Sequence, residues 1–179
     1  AADISTEKGL KSLTEQVDND FDCLDILINN AGALVKGDFE EIDIYDAKQV
    51  FEVNYFSPAR IISELIPQLK KSAFAHVVNI GSMAGFQGSS KFPGLSHYSA
   101  SKAAIGSLTE CLAQEFREDM ISFNCLAIGS VQTEMLGKAF PGFKAPLKPD
   151  EMAKYIADFA LNGHKYFNGK VLPVSLTTP

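Results

Sequence analysis

The sequence predicts an α/β fold in which helices cover both faces of a parallel β-sheet. Short strand-like segments alternate with longer segments of helical periodicity along the chain. The strand-like segments are apolar throughout, which is typical of strands buried on both faces of a parallel sheet. With 179 residues, 46% of them hydrophobic, the chain can bury a sizeable core. We therefore expect residues 1–179 to form a single domain.

The first half of the chain predicts a helix, a strand, a second helix and a second strand. Ser5 is placed to cap the first helix. Its apolar residues recur at spacings of three and four: Leu10, Leu13 and Val17. The segment LDILIN (24–29) predicts a short β-branched strand. A long helix is expected over about 43–69, and AHVVNIG (75–81) predicts the next strand.

The second half begins with a loop rich in glycine, serine and proline (82–96). The helix that follows has an apolar stripe formed by Ile105, Leu108, Leu112 and Phe116. ISFNCLAI (121–128) predicts a third strand, and residues 129–148 are expected to be irregular, with scattered short helical signals. Pro149 opens a helix that runs through Leu161, and KVLPV (170–174) predicts the last strand.

Composition excludes several classes of function. The formal net charge of -6 argues against a nucleic-acid surface, which needs a basic patch. No apolar run approaches the roughly 20 residues that span a bilayer. The first residues lack the basic start and the apolar run of a signal peptide. We expect a cytoplasmic protein that binds neither nucleic acid nor membrane.

The cysteines and histidines suggest no metal site. Cys23, Cys111 and Cys125 are odd in number and widely spaced, which fits free thiols in a reducing compartment. Each lies in an apolar segment and is expected to be a small core residue. The histidines show no ligand spacing, so no protein-bound metal is expected.

Polar and glycine-rich segments follow three of the predicted strands. They are NNAG (29–32), GSMAG (81–85) and IGSVQTEM (128–135). The carboxyl ends of parallel strands meet at one edge of a sheet, and ligands bind there. We expect these segments to share a site with the start of the helix that carries Tyr98.

HYSASKAAIG (97–106) places Tyr98 and Lys102 four residues apart, as neighbours on one helix face. A free tyrosine titrates near pH 10, and a nearby cation lowers that pKa by roughly 1–3 units. Tyr98 would then exchange a proton near neutral pH. Ser82, just past a strand end, is placed to hydrogen-bond the same substrate oxygen. Reduction of a carbonyl that is polarised in this way requires a hydride. Serine, tyrosine and lysine side chains supply none, so the reaction implies a nicotinamide cofactor.

Each of these residues also has an ordinary structural explanation. Tyrosine–lysine pairs at this spacing are common on exposed helix faces, and a serine after a strand often caps or turns the chain. The functional interpretation therefore depends on their joint placement after strand ends.

Five segments stand in the order of a known family. They are NNAG (29–32), VNYFSPARI (53–61), VVNIGSMAG (77–85), YSASK (98–102) and NCLAIGSVQTEM (124–135). Through them nearly the whole chain resembles the short-chain dehydrogenase/reductase family. The resemblance implies a Rossmann-type, doubly wound, three-layer fold that binds NAD or NADP. It also implies an oxidoreductase that interconverts a ketone or aldehyde and an alcohol by hydride transfer.

The resemblance assigns roles to individual residues. Tyr98 resembles the catalytic acid/base, Lys102 the residue that lowers its pKa and holds the nicotinamide ribose, and Ser82 the carbonyl-orienting serine. Asn54 resembles the asparagine that anchors a water in the proton relay. The other residues implied to bind the cofactor are Asp3 and Ile4 beside the adenine, Asn30, Ala31 and Gly32 at the adenosine ribose, and Val131 and Thr133 at the carboxamide.

Pro58 provides an independent physical argument for Asn54. A proline inside a helix removes the hydrogen bond to the carbonyl four residues earlier, which here belongs to Asn54. We expect that carbonyl to be turned away from the helix ladder and available to a water. The alternative, that Pro58 starts a new helix after a bend, is compatible with this.

Two departures from the family pattern matter. Ile128–Gly129 stands where the family usually has Pro-Gly. The family also opens with a glycine-rich turn that cradles the pyrophosphate, whereas this chain begins at Asp3–Ile4, the end of the family's third strand. We expect about two βα units, roughly 60 residues, to be missing, and the 179-residue chain alone to be inactive. The alternative is a natural chain of this length with a non-catalytic binding or subunit-like role.

The loops 82–97 and 132–148 are expected to line the substrate pocket. Their apolar residues are Phe86, Phe92, Leu95, Met135, Leu136, Phe140 and Phe143. They suggest a mostly apolar ketone or alcohol, although most could equally anchor the loops. The family commonly pairs the 43–69 helix and the Tyr98 helix across a two-fold axis, so we expect a homodimer or homotetramer.

Overall fold

The computed structural model describes residues 2–176, in which a parallel four-stranded sheet lies between two layers of helices. The strands, in sheet order, are β1 (Ile26–Asn29), β2 (Ala75–Ser82), β3 (Ile121–Ile128) and β4 (Lys170–Val174). The register aligns Asn29 with Asn79 and Ser82 with Ile128, so the strands end close together. The predicted α/β class with a parallel sheet is confirmed.

The helices of the described residues are α1 (Glu7–Asp20), α2 (Ile44–Phe51), α3 (Ser57–Leu69), α4 (Ser96–Glu115), α5 (Glu134–Ala139) and α6 (Pro149–Asn162). A π-helical turn (Glu52–Phe56) joins α2 to α3. Short 3₁₀ turns follow α4 and α6 at Arg117–Asp119 and Gly163–Lys165. The segment 129–148, expected to be irregular, therefore contains one short helix. Within residues 2–176, no helix combines the length and the apolar character needed to cross a membrane.

The two faces of the sheet carry separate hydrophobic cores. On one face, α3 and α4 pack on Val77 and Phe123, which are fully buried. On the other face, Phe159 of α6 packs on Val78 and Leu126. Successive side chains of a strand point to opposite faces, so Val77 and Val78 belong to different cores. Burial on both faces explains the uninterrupted apolar runs of the sequence.

The cap of α1 is Thr6, one residue after the position predicted. The Thr6 side chain accepts a hydrogen bond from the Gly9 N–H at 3.1 Å. Ser5 instead donates its hydroxyl and its backbone N–H to Asp3 Oδ1, at 2.7 and 3.0 Å. Gly9 is required here, because a Cβ would come within 1.9 Å of the Asp3 carbonyl oxygen. Ser5 thus turns the chain before the helix begins.

The helical segment 44–69 is interrupted by the π-helical turn at the place where Pro58 predicts an irregularity. Ser57 donates its backbone N–H to the carbonyl of Glu52, five residues earlier, and Pro58 has no N–H to donate. Such turns occur frequently at functional sites. Asn54 lies in the middle of this turn and is 1% exposed.

Buried polar side chains link β3 to the segment that precedes β4. Asn124 donates through Nδ2 to the Phe167 carbonyl at 2.9 Å, and its Oδ1 accepts from the Lys170 N–H at 3.2 Å. Asn124 Nδ2 also lies 3.0 Å from Nε2 of His76, whose Nδ1 is 2.9 Å from the Ala160 carbonyl. Since Nε2 faces an N–H donor, the His76 proton resides on Nδ1. Burial lowers the pKa of His76, which keeps the ring neutral.

The cysteine prediction is right for one of three residues. Cys125 is buried in β3, whereas Cys23 and Cys111 are exposed, and all three are free thiols. Cys111 lies on α4, whose buried side runs through Ile105 and Ala113. Although the local sequence is apolar, Cys111 is exposed because it does not lie on the buried side of α4.

Candidate active site

Tyr98 and Ser82 meet where β2 ends and α4 begins. Ser82 is the last residue of β2, Tyr98 lies in the first turn of α4, and the Ser82 side chain interacts with the phenol. Burial raises the pKa of Tyr98, and the interaction with Ser82 opposes this in part. The sequence predicts a pKa lowered by Lys102, and the structure gives the opposite direction because burial dominates. Tyr98 is therefore a protonated phenol at neutral pH.

A tight turn fixes Ser82 against α4. The Ser82 hydroxyl accepts from the Ala84 N–H at 3.2 Å, and its carbonyl accepts from the N–H groups of Gly85 and Phe86 at 3.0 and 3.1 Å. Gly85 allows this contact, because a Cβ there would lie 2.6 Å from the backbone nitrogen of Ala103. The turn thus packs closely against the second turn of α4.

Lys102 is buried one helical turn after Tyr98. Lys102 is 7% exposed, and its Nζ donates a hydrogen bond to the Ile80 carbonyl at 2.8 Å. Burial lowers the pKa of Lys102 to about 8. The nearby Cys125 offers no fixed counter-charge, since burial raises the pKa of its thiol to about 11. The ammonium is thus held at a substantial cost in solvation.

Asn54 uses its whole side-chain amide in hydrogen bonds. Oδ1 accepts from the Ala33 N–H at 2.8 Å, and Nδ2 donates to the Ala33 carbonyl and to Ser101 Oγ, both at 2.9 Å. The amide therefore connects the loop after β1 to α4. Ser101 was missed by sequence reasoning, although a hydroxyl three residues after Tyr98 on a helix is a usable signal.

The residues expected to bind the adenosine end of a dinucleotide do not all lie in one place. Ile4, Asn30 and Ala31 line one cavity of about 140 Å³ beside β1. Asp3 lies outside it on the exposed turn before α1, where hydrogen bonds from Ser5 lower the pKa of its carboxyl. The structure thus brings Ile4 to the NNAG turn and leaves the Asp3 side chain at the surface.

Gly32 lies beside the catalytic candidates. A Cβ built on Gly32 would lie 3.6 Å from Asn54 Oδ1, 3.7 Å from Lys102 Nζ and 3.8 Å from Met135 Cε. Met135 belongs to α5, which therefore covers this part of the site. Thr133 caps α5 by accepting from the Leu136 N–H at 3.2 Å.

Val131, the other residue expected at the carboxamide, is buried. It forms a parallel bridge with Leu147, so both ends of the segment around α5 are held together. Gln132 reinforces this link, because its side-chain oxygen accepts from the Ala145 N–H at 2.7 Å. The predicted irregular segment is thus a closed loop above the strand ends.

Lys36 ties this loop to the segment that follows β1. Its Nζ donates to the Ala139 carbonyl at 2.8 Å and lies 4.1 Å from the centroid of the Phe140 ring. Phe92, after β2, meets Phe140 edge-to-face at 6.2 Å. Three loops that follow different strands are therefore connected. Sequence reasoning missed Lys36, because nothing local to it signals a partner about a hundred residues away.

The apolar residues predicted for the substrate pocket do not share one environment. Leu95 is 4% exposed and acts as a loop anchor, whereas Phe92 and Phe143 are 46% and 49% exposed. Met135 lies over Gly32. Only part of this set is therefore available to a ligand.

The comparison with protein families decides the classification. The family model described as short chain dehydrogenase matches residues 1–142. The chain belongs to this family. An uncharacterized oxidoreductase of Mycobacterium bovis is 33% identical over 159 residues, which are 87% of this chain and 46% of that protein. The chain thus spans about half the length of this relative.

Other relatives and solved structures match over a larger share of their length. The rhamnolipids biosynthesis 3-oxoacyl-(acyl-carrier-protein) reductase of Pseudomonas aeruginosa is 30% identical over 191 residues, covering 97% of this chain and 73% of that protein. The structure of 3-ketoacyl-(acyl-carrier-protein) reductase from Brucella melitensis complexed with NADH is 27% identical, with a TM-score of 0.86 over 97% of this chain and 75% of that one. The Pseudomonas aeruginosa RhlG/NADP complex gives 29% identity and a TM-score of 0.83, covering 97% and 73%. The expected Rossmann-type fold is confirmed.

Proposed function

We propose that this protein is an NAD(P)-dependent oxidoreductase that interconverts a ketone or aldehyde and an alcohol by hydride transfer, with Tyr98 as acid/base. The observation that carries the proposal is the placement of Ser82 at the end of β2 and Tyr98 at the start of α4, with the buried Lys102 one helical turn away. Relatives solved with NADH and NADP support it. The alternative, a non-catalytic binding role, gives no reason to bury an ammonium one helical turn after the phenol.

The residues of this chain fit a dinucleotide. Gly32 leaves open a space that a Cβ would fill, within reach of Lys102 Nζ. The cavity beside β1, lined in part by Ile4, Asn30 and Ala31, offers apolar and amide surface suited to an adenine. Lys102 would hold the nicotinamide ribose. When bound, the reduced cofactor supplies a hydride.

The remaining cofactor roles follow the family. Val131 and Thr133 lie just before α5 and would contact the carboxamide of the nicotinamide. Asp3, whose carboxyl is at the surface, would contribute to the adenine site mainly through its backbone. Asn54 would anchor a water through its backbone carbonyl, since its side-chain amide is already in use.

Ser82 and Tyr98 carry out the proton chemistry. In the reductive direction both hydroxyls donate hydrogen bonds to the substrate carbonyl oxygen, which polarises the C=O bond. As the carbonyl carbon gains the hydride, the oxygen takes the Tyr98 proton, and Lys102 stabilises the phenolate that remains. In oxidation, the phenolate removes the alcohol proton. Protonated Tyr98 is the form that donates the proton in reduction.

Hydride transfer can be tested on the purified protein with a glycine-rich βαβα segment supplied at its N-terminus, since the 179-residue chain alone is expected to be inactive. We expect it to consume NADH or NADPH with at least one apolar ketone or aldehyde in a chemically diverse panel. With a reduced cofactor deuterated at the transferable position, the alcohol product should carry the deuterium at the former carbonyl carbon. Mass spectrometry of the product checks this. No oxidation of either cofactor across the panel, together with no cofactor binding by calorimetry, would contradict the proposal.

We also propose that the protein is a homodimer or homotetramer that pairs through α2, α3 and α4. Ile44 and Tyr45 of α2 are each 66% exposed, and Phe56 is 53% exposed. Ile44 and Phe56 line a groove of about 510 Å³. On α4, Ala100 and Ala103 are exposed at a spacing that leaves a flat strip suited to close helix approach.

Light scattering at micromolar concentration should give the mass of a dimer or a tetramer. A charge at the centre of the apolar surface should weaken association, because it must be desolvated on pairing. We expect Tyr45→Glu to raise the dissociation constant at least about tenfold, whereas Lys165→Glu, on the far 3₁₀ turn, should not. A monomer for the unmodified chain at this concentration would contradict the proposal.

A further inference from the structure

Ser101 is a fully buried hydroxyl between Tyr98 and Asn54. It is 0% exposed and lies on the inner side of α4. Its Oγ is 2.9 Å from Asn54 Nδ2 and 2.8 Å from the carbonyl oxygen of Tyr98.

The partners fix the direction of each hydrogen bond. Ala33 presents its N–H to Asn54 Oδ1 and its carbonyl to Asn54 Nδ2, so the orientation of the amide is unambiguous. The second hydrogen of Nδ2 then goes to Ser101 Oγ, and the Ser101 hydrogen goes to the Tyr98 carbonyl. One chain of hydrogen bonds therefore runs from the loop after β1, through the π-helical turn, to the first turn of α4.

We propose that Ser101 is a positioning residue that sets the first turn of α4, and with it the Tyr98 hydroxyl, where the Ser82 hydroxyl reaches it. The role in turnover rests on the proposed function, whereas the role in placing Tyr98 does not. Removal of the hydroxyl leaves an Asn54 N–H and the Tyr98 carbonyl each short of a partner, a state that buried groups avoid by shifting. A shift of about 1 Å at a reacting group lowers rates by up to about a hundredfold.

Thr109 provides a matched control on the same helix. It is also 0% exposed, its Oγ1 accepts from Asn79 Nδ2 at 2.9 Å, and it donates to the Ile105 carbonyl at 2.8 Å. The arrangement is that of Ser101, two turns farther from Tyr98. If Ser101 only stabilised the fold, Ser101→Ala and Thr109→Val would behave alike.

Steady-state kinetics separate the two residues. Ser101→Ala should lower kcat by roughly ten- to a hundredfold while KM stays within about twofold. Thr109→Val should leave kcat within about twofold of the unmodified protein, although both variants should lower Tm. Ser101→Thr, which retains a hydroxyl able to bond back along the helix, should restore most of kcat. An equal loss of kcat in Ser101→Ala and Thr109→Val would overturn the proposal.

Optical titration tests the placement of Tyr98 whatever the reaction is. The ultraviolet ionisation difference between each protein and its Tyr98→Phe counterpart isolates Tyr98. His97, which stacks on Phe39, and Lys102 are present in every variant, so their charges cancel. Without a well-placed Ser82 the phenolate loses a hydrogen bond, so Ser101→Ala should titrate at higher pH and Thr109→Val at the original pH.

The two readouts distinguish failure of this proposal from failure of the proposed function. If the unmodified protein shows no hydride transfer, the optical titration still decides whether Ser101 places Tyr98. If Ser101→Ala does not fold, Ser101→Cys, a weaker donor and acceptor, should shift the titration in the same direction by less. An unchanged Tyr98 titration in the folded Ser101 variant would overturn the proposal.

Discussion

Replacement of Tyr98 by phenylalanine is expected to lower kcat by roughly 10²–10⁴-fold, the usual contribution of a positioned acid or base. The substitution removes one hydroxyl and keeps the ring, so packing at the start of α4 should be preserved. Because only the proton donor is lost, the affinity for NAD or NADP should stay close to that of the unmodified protein. Steady-state kinetics and calorimetry with each cofactor measure the two quantities separately.

Tyr166→Phe is the matched control for this substitution. Tyr166 is 78% exposed and lies just after the 3₁₀ turn that follows α6. Loss of its hydroxyl should leave kcat and cofactor affinity unchanged. Near-normal turnover in Tyr98→Phe would exclude Tyr98 as the acid/base, and a large loss of cofactor affinity would mean that the phenol mainly binds the dinucleotide.

Lys102→Met is expected to change activity and stability in opposite directions. Activity should fall by roughly a hundredfold or more, with weaker cofactor binding, because one ammonium serves both the phenolate and the ribose. Stability at neutral pH should rise by about 1–3 kcal/mol, because a buried charge is replaced by an apolar side chain of similar length. The lost hydrogen bond to the Ile80 carbonyl limits this gain.

The pH dependence of this gain follows from the lowered pKa. The pKa of Lys102 is about 8 in the folded protein, against a reference value of 10.5. Below pH 8 the lysine is charged in both states, and the folded protein bears the full cost of burial. Between about pH 8 and 10.5 the unfolded chain binds more protons, so stability rises with pH. The advantage of Lys102→Met should therefore be largest below pH 8 and shrink above it.

Chemical denaturation of both proteins at several pH values measures this difference. Lys165→Met is the control, since Lys165 is exposed and should change stability by less than about 0.5 kcal/mol at every pH. If the stability difference between Lys102→Met and the unmodified protein does not vary with pH, burial of the Lys102 charge does not destabilise the folded protein.

The sheet and most helices could be predicted from the sequence because their signals are local. The predicted bounds of β3 and β4 coincide with the observed strands, since both are apolar runs ended by polar or glycine residues. The break in the 44–69 helix was predictable from Pro58 alone. The bounds of the short helix α5 were not, because six residues with few apolar positions give too little periodicity.

The candidate site was predictable only in outline. The rule that strand ends converge brought Ser82, Tyr98 and Lys102 together without any contact information. The rule could not predict the hydrogen-bond partners that hold these side chains in place. Ser101 and Lys102 occupy buried positions of α4 that an apolar stripe would miss, since both are polar. The pKa of Tyr98 was mispredicted, because the effect of burial depends on the packed structure.

The parallel register has a consequence for how the chain folds. Ile26 pairs with His76, and Lys170 pairs with Asn124, so each strand pairing must close a loop of roughly 50 residues before any contact compensates for it. Asn124 obtains two of its partners only when Phe167 and Lys170 arrive. During synthesis, the apolar edge of β3 therefore stays unpaired until β4 has been synthesised. That interval is when the nascent chain is most exposed to misassembly and most dependent on chaperones.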